Sequence, residues 1–342
     1  MLEFERCSRG ASISMTMRVD PQVLVERMLG GDRLALARLI TLVENRSAAV
    51  PAIMRGVHAR AQRGYAVGVT GPPGAGKSTV VDRLTAALRG EGQTVGIVAV
   101  DPSSPFTGGA VLGDRIRMQA HALDPGVFIR SMATRGAIGG IARATGQVIK
   151  LLAAFGFDWI LIETVGVGQT ELDIMRLADT TLVVLVPEAG DAVQVMKAGL
   201  LEIADVFVVN KADRPGAPAL MSELSFTAHL QHTGTAGPRD VDWEIPVLSA
   251  EAQNDVGTGE LLAEIRRHRV ALETTGALAA RRRERRRAEL TRLLVEGFTA
   301  SVERKLQSGE LGRTFDDVAE GVIDPYSAAQ SILDRVLSLG GS

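Results

Sequence analysis

Between Tyr65 and about Val270 the chain alternates two textures: short runs that are apolar at nearly every position, and longer segments that are apolar only at helical spacing. The runs are YAVGVT (65–70), TVGIVAV (94–100), GVFIRSM (126–132), WILIET (159–164), TTLVVLV (180–186), DVFVVN (205–210) and IPVLS (245–249). A strand without polar alternation is buried on both faces, and strands separated by helices pair in parallel beneath two helical layers. The expectation is an α/β fold, a mostly parallel sheet flanked by helices. Ligands in such sheets sit beyond the carboxyl ends of the strands, so chemistry is expected in the loops that follow these runs.

The flanks read differently. From Pro21 to about Arg63 the pattern is helical: Asp32 is placed to cap a helix with Leu34, Ala37, Leu39, Ile40 and Val43 on its inward side, and Pro51 opens another. After Val270 the strand signal stops. Leu290, Leu293, Leu294, Phe298, Val302 and Leu306 follow helical spacing, and Asp324 with Pro325 starts a last helix carrying Ile332, Leu333, Val336 and Leu337. The expected organisation is an extension over 1–20, a helical segment over 21–63, a nucleotide-binding domain over 64–270 and a helical arm over 271–342.

Composition narrows the class. Of 342 residues, 46% are hydrophobic and 23% charged, with a net charge of -2, so no electrostatic field calls for nucleic acid. Aromatics at 4% offer little for base stacking. Cys7 stands alone, which rules out an intrachain disulfide and fits a reducing, cytoplasmic location. No apolar run approaches the roughly 20 residues of a membrane span. The opening MLEFERCSRGASISMTMR lacks the apolar stretch of a secretory signal and reads as an extension, with Met15 and Met17 as alternative starts.

The first strand runs into GPPGAGKST, the nine residues Gly71, Pro72, Pro73, Gly74, Ala75, Gly76, Lys77, Ser78 and Thr79. Glycines at this spacing let the backbone curl so that its N–H groups and the following helix N-terminus face phosphates. Lys77 then reaches the β- and γ-phosphates, and the Ser78 hydroxyl can ligate Mg²⁺.

The strand DVFVVN leads into NKAD, Asn210, Lys211, Ala212 and Asp213. A carboxylate at Asp213 accepts from both N1–H and the exocyclic amine of guanine, whereas adenine leaves it unpaired. Lys211 is expected to lay its stem along the base and Asn210 to tie the loops together. Four such residues alone also make a helix cap; their position at a strand end downstream of the phosphate loop favours GTP/GDP. The next strand ends in Ser249, Ala250 and Glu251, where G proteins place a backbone donor to the guanine oxygen.

Three carboxylates are candidates for holding Mg²⁺ directly or through water: Asp101 at a strand end, Asp114 in the Gly-rich stretch DPSSPFTGGAVLGDRIRM, and Glu163, which opens ETVGVGQTE. Asp114 can equally cap the helix that follows it. Gln169 is a candidate for orienting the attacking water or for touching a partner. Arg115 and Arg117 are candidates for stabilising charge on the transferred phosphoryl group once a partner orders them.

GPPGAGKST, VDPSSPFTGGAVLGDRIRM, RSMATRG, ETVGVGQTE, GDAVQVMKAGLLEIADVFVVNKADR and the Arg-rich C-terminal helix occur in this order. Together they resemble the MeaB/ArgK family of methylmalonyl-CoA mutase-associated GTPases, a SIMIBI-class (G3E-type) P-loop group, from about residue 22 to 340. The resemblance implies a G domain with helical extensions, a C-terminal arm that makes a homodimer, and a chaperone role. The client that the resemblance implies is an adenosylcobalamin-dependent mutase whose cofactor loading is gated and whose inactivated cobalamin is removed. It also implies switches over 101–117, 163–176 and 187–200, the last carrying Asp191, Gln194 and Lys197. Glu188, where the family pattern has glycine, and Ala137, where it has a larger residue, depart from it.

Other readings compete. The run RRRERRR at 281–287 suggests RNA, but on a helix its charges, with Glu284 among them, spread around the axis as a solvated face. A nickel-delivery GTPase needs soft or imidazole ligands, and the five histidines (His58, His121, His229, His232 and His268) offer only His229 and His232, three apart on a predicted helix. An ATPase energising basic amino-acid transport, an older reading of the same family, conflicts with the base-recognition pattern.

Overall fold

The computed structural model describes residues 20–101, 119–133, 140–164, 166, 175–187, 203–233, 242–307, 309 and 311–338. Three short helices come first: α1 (Pro21–Leu29), α2 (Arg33–Glu44) and α3 (Val50–Val57). Asp20 and Asp32 supply the caps, each accepting from backbone N–H groups of the first turn, and Pro21 occupies the first turn of α1 where its missing donor costs nothing. The inward face of α2 keeps Leu39, Ile40 and Val43 as expected, but not Leu34 or Ala37. Leu34 is 70% exposed, while Ala35, Leu36, Leu39, Ile40 and Val43 are buried. The stripe is shifted because Arg33, at the helix start, donates to Pro125 O at 2.6 Å and also to Val127 O, which fixes the rotation of the first turn.

Each apolar run becomes a strand: β1 (Tyr65–Thr70), β2 (Val95–Asp101), β3 (Val127–Ala133), β4 (Trp159–Thr164), β5 (Thr180–Leu185), β6 (Val206–Asn210) and β7 (Val247–Ala250). They form one seven-stranded sheet in the order β3-β2-β4-β1-β5-β6-β7, with every pairing parallel. Among the described residues, the helices between and after the strands are α4 (Lys77–Gly90), α5 (Gly140–Phe155), α6 (Ala217–Thr233) and α7 (Thr258–Thr274).

Ala66, Val98, Val100, Ile160 and Ile162 join α1–α3 and α5 in one apolar cluster, and the alternating residues Val67, Val69, Ile97 and Leu161 are buried as well. Burial on both faces explains why the strands carry no polar alternation. The helical segment 21–57 is therefore a layer laid over α5, part of the same core as the sheet.

The chain divides into two compact units, one ending at Thr275 and one beginning at Gly276. The second contains α8 (Ala277–Gln307), α9 (Gly312–Ala319) and α10 (Pro325–Ser338). Asp324 accepts from the N–H groups of Tyr326 and Ser327 at 3.0 Å and so starts α10, as its place before Pro325 predicts. Leu290, Leu293 and Leu294 on α8 are 58%, 45% and 64% exposed. No helix among the described residues is long and apolar enough to cross a membrane.

Candidate functional site

The sheet order puts β1 between β4 and β5, so the loop leaving β1 emerges at the middle of the sheet with a strand end on either side. That loop is GPPGAGK. It starts at Gly71 with φ of 142° and passes Gly74 at 79° and Gly76 at 86° before α4 begins at Lys77. A Cβ on Gly71 would lie 2.0 Å from Val184 O of β5, and one on Gly76 would lie 2.4 Å from Asn210 Nδ2. Close backbone approach, rather than loop flexibility, is what demands glycine at these two positions.

Lys77 is buried, and its ammonium donates to Gly71 O at 2.9 Å and Pro72 O at 3.0 Å. Its charge thus sits inside the curl of the loop, at the N-terminus of α4. The N-terminal N–H groups and dipole of a helix add positive potential at this same point. Pro73 and Gly74 are exposed, Ala75 is buried, and Thr79 is half-buried in the first turn of α4.

Ser78 and Glu163 meet directly. The Ser78 hydroxyl donates to Glu163 Oε1 at 2.6 Å, and both residues are buried at 6% and 5% exposure. Glu163 is placed by strand pairing: it stands opposite Val69 of β1 and Ala99 of β2, one residue from the end of β4. Asp101 closes β2 one step beyond Val100, which pairs with Thr164, so its backbone reaches the same end of the sheet. The described oxygen donors here, the Ser78 hydroxyl and the Glu163 carboxylate, are buried and hard, the kind of ligand that suits Mg²⁺.

Two threonines at adjacent strand ends extend this junction. Thr164 donates to Thr70 Oγ1 at 3.0 Å, and Thr70 donates to Gly166 O at 3.0 Å, so the segment after β4 is tied to the strand that feeds the phosphate loop. Both hydroxyls escaped the sequence reading. Their only signal was a threonine ending each of two runs, and nothing local says that those runs are neighbours.

Asn210 ends β6 and ties three segments together. Its Nδ2 donates to Ala75 O at 2.8 Å, and its Oδ1 accepts from Ala252 N–H at 3.0 Å. Lys211, in the left-handed region at φ of 57°, donates to Gly74 O at 2.9 Å. Ala212 N–H donates to Ala250 O at 3.1 Å. Asp213 is exposed, one residue beyond the Ala212 that meets Ala250 at the end of β7. Glu251 is held in an isolated bridge with Val256 and accepts from Asn254 Nδ2 at 3.1 Å. The NKAD segment, the GPPGAGKST loop and the turn after β7 are thus one hydrogen-bonded unit.

The side chain of Asp101 lies outside the described residues, as do Asp114, Arg115, Arg117, Ala137, Gln169, Glu188, Asp191, Gln194 and Lys197. Among the histidines, His229 is exposed on α6 and lies 3.8 Å from Glu244. His268 is fully buried in α7 far along the chain from it, within a polar core network.

Residues 36–307 match the family model described as methylmalonyl Co-A mutase-associated GTPase MeaB. A Pyrococcus abyssi protein assigned as a GTPase is 50% identical over 317 residues, covering 93% of this chain and 97% of its own. The mouse mitochondrial methylmalonic aciduria type A homolog is 33% identical over 319 residues, covering 84% and 76%. A crystal structure described as LAO/AO transport system kinase superposes with a TM-score of 0.67 at 26% identity, covering 93% of this chain and 97% of that one. A family model matched over residues 36–307 and a relative 50% identical over 317 residues place the chain in a family: it belongs to the MeaB family of methylmalonyl-CoA mutase-associated GTPases.

Proposed function

We propose that this GTPase is a Mg²⁺-dependent switch acting as chaperone of an adenosylcobalamin-dependent acyl-CoA mutase, with methylmalonyl-CoA mutase as client, gating cofactor loading and protecting or reactivating the enzyme. The observation that carries the reading is the Ser78 to Glu163 hydrogen bond. It places the first residue of ETVGVGQTE one contact away from the helix that faces the phosphates, so a change in phosphate occupancy is felt at once in a loop that can speak to a partner. The partner class follows from the family description.

In this reading the backbone N–H groups of 71–79 hold the phosphates and Lys77 neutralises their β- and γ-oxygens. Asp213 accepts from the guanine N1–H and amine, a backbone N–H of the segment 249–251 meets the guanine oxygen, and Lys211 covers the base. Ser78 and Glu163, with Asp101 and Asp114, hold Mg²⁺. Mg²⁺ bound there would offset charge on the β- and γ-phosphate oxygens. Gln169 orients the attacking water, Arg115 and Arg117 supply transition-state charge once a partner orders them, and Asp191, Gln194 and Lys197 face the mutase. The exposed Leu290, Leu293 and Leu294 belong to a homodimer contact made by the arm, and the protein works in the cytoplasm.

The test is single-turnover GTP hydrolysis by the full chain, alone and with purified methylmalonyl-CoA mutase. Slow intrinsic turnover, raised about tenfold or more by the mutase, is expected, since ordering a charge-stabilising arginine is worth at least that much. Equal rates would remove the mutase from the mechanism. The likeness to a structure described as a transport system kinase keeps one further outcome in view: ATP outcompeting GTP for the site would favour an ATPase.

A further inference from the structure

Arg83 lies in the second turn of α4, the helix that begins at Lys77, and its guanidinium reaches the turn that follows β7. Its Nε donates to Ala252 O at 3.0 Å and its Nη2 donates to Gln253 O at 3.3 Å. These carbonyls belong to the 3-10 turn Ala252–Asn254 that immediately follows Ser249, Ala250 and Glu251. The peptide of Ala252 is therefore held from both ends: Asn210 accepts from its N–H at 3.0 Å, and Arg83 donates to its C=O.

The turn itself is stiff. Gly257, at φ of 83°, packs so closely that a Cβ would lie 2.5 Å from Ser249 O. Thr258 donates to Asp255 Oδ1 at 2.8 Å, and Asp255 sits in the left-handed region. A stiff loop moves as a body, and its placement over the base is set by what holds its outer side. The described contacts that do so from another helix are the two Arg83 hydrogen bonds. The guanidinium is half-buried, which strengthens charge-assisted bonds relative to those in bulk water.

We propose that Arg83 is a positioning residue for base recognition: it couples the phosphate-binding helix to the loop that reads the guanine oxygen, and so sets GTP selectivity without touching the nucleotide. A planar fork suits two carbonyls on successive residues, where the single ammonium of lysine holds one. The inference rests on the guanine-site reading given above, and the measurements below separate failure of one from failure of the other.

The experiment compares dissociation constants of the full chain for GDP, 6-thio-GDP, IDP and ADP, in the native protein and in Arg83→Ala and Arg83→Lys. The sulfur of 6-thio-GDP is a poor acceptor at the position the loop reads, whereas IDP lacks only the amine facing Asp213. In Arg83→Ala, GDP is expected to bind about tenfold more weakly, one to two bonds to a charged donor being lost. The GDP preference over 6-thio-GDP collapses toward unity, and the preference over IDP persists. Arg83→Lys restores part of the lost preference, and kcat at saturating GTP stays within about twofold because the reacting phosphate is untouched. Equal weakening toward GDP, 6-thio-GDP and IDP would make Arg83 a structural residue only and overturn the proposal. Should Arg83→Ala not fold, a native GDP preference over 6-thio-GDP in Arg83→Lys would overturn it, and a reduced one would support it. A native protein that binds ADP as well as GDP overturns the guanine-site reading itself.

Discussion

Ser78 and Glu163 stand 85 residues apart in the chain and share a buried hydrogen bond of 2.6 Å. One belongs to the helix that follows GPPGAG, the other to the strand that runs into ETVGVGQTE, so a hydroxyl from a helix and a carboxylate from a strand converge on one point. The glutamate side chain spans from β4 to α4, so the carboxylate that opens this stretch is engaged with the serine that follows Lys77.

Glu163→Gln keeps the shape of this contact and removes the charge. GTP hydrolysis is expected to fall on the order of 10²-fold, the scale seen when one preorganised electrostatic contact is deleted, with GDP affinity changed far less. Single-turnover rates across a Mg²⁺ titration, set against GDP dissociation constants, measure both sides. Unchanged hydrolysis would reduce Glu163 to a packing role.

The two crowded glycines separate folding from binding. In Gly71→Ala the new Cβ meets a backbone carbonyl of β5 at 2.0 Å, which cannot yield without breaking the β1 to β5 pairing, so the protein is expected to lose its cooperative unfolding transition. In Gly76→Ala the Cβ meets only the Asn210 amide, at 2.4 Å, a side chain that can swing aside. The fold should then survive, with nucleotide binding lost because Asn210 no longer bridges Ala75 and Ala252. Circular dichroism melts paired with GDP titrations would show whether the two variants part in this way.

Arg89 forks onto Asp124 with bonds of 2.8 and 2.9 Å, and that contact, then the Gly126 N–H, holds the Asp124 carboxyl below its usual range. A carboxyl whose folded pKa is depressed stabilises the fold above its unfolded value near 4, and this contribution is lost as pH falls through the folded value. Asp124→Asn should therefore lower stability at pH 7 and narrow its gap to the native protein as pH drops below about 4. Denaturant midpoints at pH 7 and pH 3 suffice; a gap that is constant with pH would show that the charge is not what matters.

At the opposite ends of the strands lies a polar core network. Thr180 shares hydrogen bonds with the Tyr65 hydroxyl at 2.6 Å and with His268 Nδ1 at 2.8 Å, and His268 Nε2 lies 3.3 Å from Asp205 Oδ1. Burial raises the Tyr65 pKa above its ordinary value, so the phenol stays neutral in the fold. Thr180→Val keeps the volume and strands two buried partners, and is expected to cost about 2–4 kcal/mol. Tyr65→Phe removes one partner and should cost about 1 kcal/mol. Chemical denaturation of both variants ranks them, and an equal cost would mean that the network does not act through Thr180.

The arm prediction is simpler. Leu294, 64% exposed on α8, belongs to the proposed dimer contact, so Leu294→Glu should shift the full chain from dimer to monomer by light scattering while leaving its far-UV circular dichroism spectrum unchanged. A native chain that is already monomeric removes the arm from assembly.

Much of this molecule is legible in one dimension because its determinants are local. Seven apolar runs are strands since burial on two faces demands apolar residues at every position, whatever their partners. GPPGAGKST and NKAD read as phosphate and base motifs because glycine spacing and a carboxylate act over a few residues. The inward face of α2 was misjudged at Leu34 because a two-sided apolar stripe leaves its rotation open, and long-range contacts from Arg33 settled it.

Strand order was decided only in three dimensions. Placing β1 between β4 and β5 is what brings Thr70 to Thr164, Ser78 to Glu163 and the Gly71 backbone against Val184. Asn210 and Arg83 likewise gain their meaning only where β6, β7 and α4 converge. Local pattern fixes which segments are strands and which loops can hold phosphate, because those depend on covalent neighbours. Which loops then meet depends on pairing energies spread over the whole sheet, and no short stretch of sequence contains them.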